Sequence, residues 1–143
     1  MRVVDINILV YAHRREAPDH EAMRSWLDAA RRAPRPLGLA DVVLAGFLRL
    51  VTNPRVFRDP TALAEAIGFV DALMAGPAVR RITPGERHWS LFTDLCRAAA
   101  VKGNLVPDAY LAALTLEQGA VLVTADRDFA RFPGVRVENP LEP

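Results

Sequence analysis

The chain has 143 residues, 51% of them hydrophobic and 24% charged, with a formal net charge of +1. That length suits a single domain, residues 1–143, with a core of its own, and the composition is that of a soluble globular protein. No apolar run approaches the roughly 18 residues that span a bilayer, the lone Cys96 excludes an internal disulfide and a multi-cysteine metal site, and near-neutrality speaks against bulk attraction to nucleic acid.

Read in order, "RVV" (2–4) is a short strand, and a helix runs from Asn7 to His13. Asp5 stands between them. It interrupts the N-terminal apolar stretch, so no signal peptide is expected and a cytoplasmic location is. Residues 19–33 form a helix with Met23, Trp26, Leu27 and Ala30 on one face and Asp19 as its cap. "PLGL" (36–39) is a weak strand, and 41–53 a helix ended by Asn53-Pro54. A helix over 59–76 lies between Pro60 and Gly76, the order helices favour. "VRRI" (79–82) is a strand, 85–103 a helix stopped by Gly103, and 106–119 a helix from Pro107 to Gly119. Strand 120–124, a turn or two of helix over 126–132, and strand 135–139 complete the chain. Trp26 and Trp89 read as core residues, and Cys96 as an ordinary helix-face residue.

Strands that are apolar without alternation are buried on both faces. Helices between them imply a three-layer α/β/α sandwich with a mainly parallel central sheet. Such sheets place ligands beyond the carboxyl ends of their strands. Asp5 lies at one such end and Asp126 at another; Asp108 falls in the first turn of a late helix, and Asp41 opens the helix after the weak strand. Singly, each is suited to a helix cap or first turn. Together they would repel one another unless a cation sat among them. An all-oxygen donor set suits Mg²⁺, with Mn²⁺ as the alternative, and not Zn²⁺. Carboxylate-held Mg²⁺ serves phosphoryl chemistry. The cations are arginines apart from Lys102. Their planar forks suit phosphate, and Arg14, Arg15 and Arg127 are the candidates to hold a nucleic-acid strand.

"VVDINILVYAH", "NLVPDAYLAAL" and "VLVTADRDFARFPGVRVENP", in this order, resemble the PIN-domain ribonucleases, and among them the VapC-type toxins of toxin–antitoxin pairs. The resemblance runs from the first strand to "ENPL". It implies a Mg²⁺-dependent endoribonuclease acting on RNA, restrained by a cognate antitoxin protein, homodimeric and not membrane-bound. Carried over by position, Asp5 and Asp108 are metal ligands, and Asp126 supports the metal or positions water. Asn7 and Thr124 are the polar residues beside them, and Asp128 belongs to the same motif.

The chain departs from the family where a glutamate usually precedes a segment like "FLRL": Gly46 stands there. Asp41 lies five residues earlier, about 140° around a helix and about 7.5 Å along it. It cannot take the glutamate's place directly. It either approaches the metal from nearer the strand's end, and so joins the catalytic set, or only caps its helix. The alternative reading of the whole is a catalytically impaired PIN-like module that binds RNA or antitoxin without cutting. A Mg²⁺ phosphatase that begins with Asp-x-Asp is a poorer match, because residue 7 is asparagine.

Overall fold

Val3 and Val4 are fully buried, as are Leu37, Leu39, Leu122 and Val123, so the central strands are covered on both faces. The structure is a computed structural model that describes residues 1–142. Five parallel strands, β1 (Arg2–Val4), β2 (Leu37–Ala40), β3 (Val79–Ile82), β4 (Val121–Val123) and β5 (Val137–Glu138), form one sheet in the order β3-β2-β1-β4-β5. Six α-helices cover it: α1 (Ile6–His13), α2 (His20–Ala30), α3 (Asp41–Val51), α4 (Leu63–Met74), α5 (His88–Ala98) and α6 (Leu105–Glu117). A short 3₁₀ helix, Arg127–Arg131, joins β4 to β5. α1 packs on α2 and α3, and α3 on α4; α5 packs on α6, which lies along β4. The chain moves outward from β1 to β3 and then crosses back to β4. Right-handed crossovers therefore put α1–α4 and α5–α6 on opposite faces, which makes the α/β/α sandwich. Among the described residues no helix is long and apolar enough to cross a membrane.

Several helix ends differ from the expected ones. α5 stops at Ala98 and not at Gly103. Ala100 takes the left-handed conformation (φ 47), Val101 N–H donates to Cys96 O at 3.1 Å and Ala100 N–H to Arg97 O at 3.2 Å. This is a Schellman closure built on alanine. α6 ends the same way on Gly119 (φ 59), with Ala120 N–H on Thr115 O at 3.0 Å. Asp19 is left-handed (φ 57) and makes no side-chain cap bond. α4 starts at Leu63, three residues after Pro60. Trp89 is 69% exposed and so is not a core residue.

Arg14 does not reach for a nucleic acid. Its guanidinium donates to Thr61 Oγ1 at 3.0 Å, Asp59 O at 2.7 Å and the Glu16 carboxylate, and lies 4.3 Å over the Phe57 ring. The side chain is 11% exposed. It pins the end of α1 to the segment before α4. Arg14→Ala should therefore cost about 2 kcal/mol, from lost charged hydrogen bonds and packing. A urea midpoint that falls while the slope holds would show this; an unmoved midpoint would make the clamp idle.

Candidate active site

β1 ends at Val4, and the chain turns through Asp5 (φ −79, ψ 157) into α1. Pairing with β4 fixes this corner, because Asp5 N–H donates to Val123 O at 3.0 Å. The Asp5 side chain is only 8% exposed. One oxygen, Oδ1, accepts the Ile6 N–H at 2.7 Å, and the other, Oδ2, accepts the Thr124 hydroxyl at 2.7 Å. Asp5 is both the cap of α1 and a buried acid at a strand end.

Thr124 follows β4 directly and is 1% exposed. Its hydroxyl gives its one proton to Asp5 and accepts two more, from Asn7 Nδ2 at 3.2 Å and from Asp126 N–H at 3.0 Å. A hydroxyl has one proton and two lone pairs, so Thr124 is saturated. The same bonds set the Asn7 amide: its nitrogen faces Thr124, and its oxygen receives Ala125 N–H at 3.5 Å. Asp126 caps the 3₁₀ helix through Oδ1, which accepts Asp128 N–H at 2.8 Å. Asp128 itself pairs with Arg131 at 3.3 Å.

Asp108 enters from α6, in its first turn. Its carboxyl is pushed up to about 6, first by burial and then by Asp5, Asp126 and Asp128, with Arg131 as a partial offset. Asp5 is also raised, mainly by burial and further by Asp126, while the bonds from Thr124 and Ile6 oppose the shift. Asp5, Asp108 and Asp126 thus act on one another, and the single cation among them, Arg131, offsets their repulsion only in part. The donor set is all oxygen. Among the described residues no three His, Cys, Asp or Glu side chains form a ready cage for a metal. Mg²⁺ needs none, since it is held by one or two carboxylates and keeps several waters. The residue types fit Mg²⁺, which Asp5 and Asp108 would hold beside Asp126.

Asp41 follows β2 directly, at the carboxyl end of the strand that pairs with β1. It is the first residue of α3, the cap position falls to Ala40, and both its oxygens face Arg81, one at 2.8 Å. Arg81 holds its carboxyl below the usual carboxylate range. Asp41→Asn should leave thermal stability nearly unchanged, because solvent screens an exposed ion pair and leaves it little net worth. A large loss of cleavage in this variant would restore Asp41 to the catalytic set; a rate within about twofold of the unaltered chain is expected. Gly46 has a local cause. A Cβ there would meet Ile6 Cδ1 at 2.6 Å, so Ile6, the residue that donates to Asp5, leans over the glycine. Of the remaining arginines, Arg127 is 91% exposed on its side chain and reaches Glu142 at 3.3 Å. Arg131, which no motif singled out, is the cation that acts on Asp108. Its spacing of three from Asp128 was the available signal.

The family model for the PIN domain matches residues 2–135. Ribonuclease VapC43 of Mycobacterium tuberculosis is 49% identical over 142 residues, covering 99% of this chain and 97% of the relative. Ribonuclease VapC25 of the same organism is 42% identical over 140 residues, covering 98% and 99%. The structure of VapBC2 from Rickettsia felis, bound to a DNA fragment from its promoter, superposes with a TM-score of 0.74 at 18% identity, over 96% of this chain and 97% of that one. The corner at Asp5, the late helix bearing Asp108 and the Thr124–Asp126 turn come together on this fold, and the chain belongs to the PIN-domain family, in its VapC ribonuclease group.

Proposed function

We propose that the chain is a Mg²⁺-dependent endoribonuclease, the toxin of a toxin–antitoxin pair. The observation that carries this reading is the meeting of Asp5 after β1, Asp108 in the first turn of α6 and Asp126 after β4, which Thr124 ties to Asp5. A divalent ion bound there supplies charge neutralisation at a phosphate and a more acidic water. Asp5 and Asp108 would hold it, and Mn²⁺ would accept the same oxygens. Thr124 keeps Asp5 turned toward the site, and Asp126 would orient the attacking water with the oxygen that does not cap the 3₁₀ helix. Attack by that water at phosphorus displaces a ribose oxygen, which leaves with a proton.

RNA as substrate is supported by the relatives, which are named ribonucleases. An antitoxin partner is supported by the VapBC neighbour. A homodimer is part of the same reading and rests on the family likeness alone. Action on RNA inside the cell would call for a cytoplasmic location. The reading as a binding module without cleavage rested on Gly46. It loses ground because the three acids are present and coupled. Expression of the chain alone should arrest growth, and co-expression of a cognate antitoxin should restore growth. Asp108→Asn should be harmless on its own. Arrest that persists in Asp108→Asn would defeat the toxin reading.

A further inference from the structure

A second concavity opens beside the acids. It has a volume of about 270 Å³, and Thr124 and Asp126 line it as well as belonging to the acid cluster. Its other walls include Arg127, Val137, Asn139 and Glu142. A phosphate placed over Asp5 and Asp108 would thus have this concavity within reach of the adjoining nucleoside. There is room for one base and none for a duplex.

The walls suit a base. Val137 is 44% exposed on the short edge strand β5, an apolar surface that a base can cover. Arg127 stands at the rim with its side chain 91% exposed, and guanidinium planes stack on bases. Asn139 supplies direction. Its Oδ1 accepts Leu141 N–H at 3.1 Å, which fixes the amide. The Nδ2 group is then the one left to donate, and among the described residues it donates to no protein acceptor. Glu142 adds a carboxylate on the same wall, 3.3 Å from Arg127, which balances its charge.

We propose that this concavity is a nucleobase subsite that selects guanine next to the scissile phosphate. Guanine presents two parallel N–H donors, at N1 and N2, that match the two oxygens of Glu142. Its O6 lies beside them and accepts from Asn139 Nδ2. No other RNA base sets two such donors next to an acceptor. The proposal rests on the ribonuclease reading for the position of the phosphate.

The test does not require cleavage. The four 5′-mononucleotides would be titrated separately into the isotope-labelled chain, with the Asn139 side-chain amide followed by NMR. GMP should move that amide and bind about tenfold or more tightly than AMP, CMP and UMP, which is what one good base contact supplies. Asn139→Asp and the exposed Glu142→Gln should each bring GMP down to the level of the others. Equal affinities for the four, or an amide that none of them moves, would overturn the subsite. Cleavage of a mixed-sequence single-stranded RNA separates the two readings. Cuts without preference for a neighbouring guanine sink the subsite and leave the ribonuclease standing. Selective GMP binding by a chain that cuts no RNA sinks the ribonuclease and keeps the subsite.

Discussion

Replacing Asp108 by asparagine should stabilise the metal-free chain at pH 7. The Asp108 carboxyl has an ordinary value of 3.8 and is pushed up to about 6 in the fold. A raised carboxyl binds its proton more tightly folded than unfolded. Its favourable contribution is therefore complete below about pH 4 and is lost as the pH rises through about 6. The metal-free chain should lose stability across that window, and Asp108→Asn, which cannot ionise, should lose much less. Mg²⁺ should reverse the order. At 100 times its dissociation constant it adds about 2.7 kcal/mol to the unaltered chain, or roughly 5–10 °C in melting temperature. Asp108→Asn should gain little from it. Melting curves with and without Mg²⁺ at pH 5 and pH 7.5 read both effects. An asparagine variant less stable than the parent at pH 7.5, and equally stabilised by Mg²⁺, would show that Asp108 is no metal ligand.

Thr124→Val should damage the acid cluster from outside it. The two side chains have nearly the same shape, so packing is kept and the hydroxyl is lost. Asp5 Oδ2 then loses its donor, while Asn7 Nδ2 and Asp126 N–H lose their acceptor. A buried group left unsatisfied costs about 1–3 kcal/mol, and the three share one centre, so a total of about 3 kcal/mol is expected. The affinity for Mg²⁺ should fall by about 10–100-fold, the usual effect of losing a group that orients a ligand. Thr124→Ser keeps the hydroxyl and should recover most of the affinity while remaining less stable. Calorimetric titration of the three proteins checks this. Full Mg²⁺ affinity in Thr124→Val would reduce the network to a fold feature.

Much of the architecture was legible because burial on two faces leaves a mark in the residues. Val3-Val4 and Val121-Leu122-Val123 do not alternate, and such strands read as parallel and central. The acids at strand ends followed from the same frame. What was not legible depended on distant partners. Arg81 claims Asp41 from 40 positions away, and nothing near Asp41 announces it. The engagement of Arg14 with Asp59 and Thr61 is equally remote. Gly103 looked like the stop of α5, yet Ala100 adopts the left-handed turn first. Thr124 was visible only as a polar neighbour of the acids. That its hydroxyl joins Asp5, Asn7 and the Asp126 backbone is set by the β1–β4 register, which pairs Val4 with Val123.

Cleavage of one single-stranded RNA, by the unaltered chain and by Asp108→Asn prepared in the same way, tests the metal-dependent ribonuclease most directly. Each protein would be assayed with Mg²⁺, with chelator, and with Mg²⁺ restored. The unaltered chain should cut only when the metal is present and resume when it returns. Asp108→Asn should fall by at least about a thousandfold, since both the metal and the water it carries are lost. Cutting that survives the chelator, or that Asp108→Asn retains, would contradict a metal held by these acids.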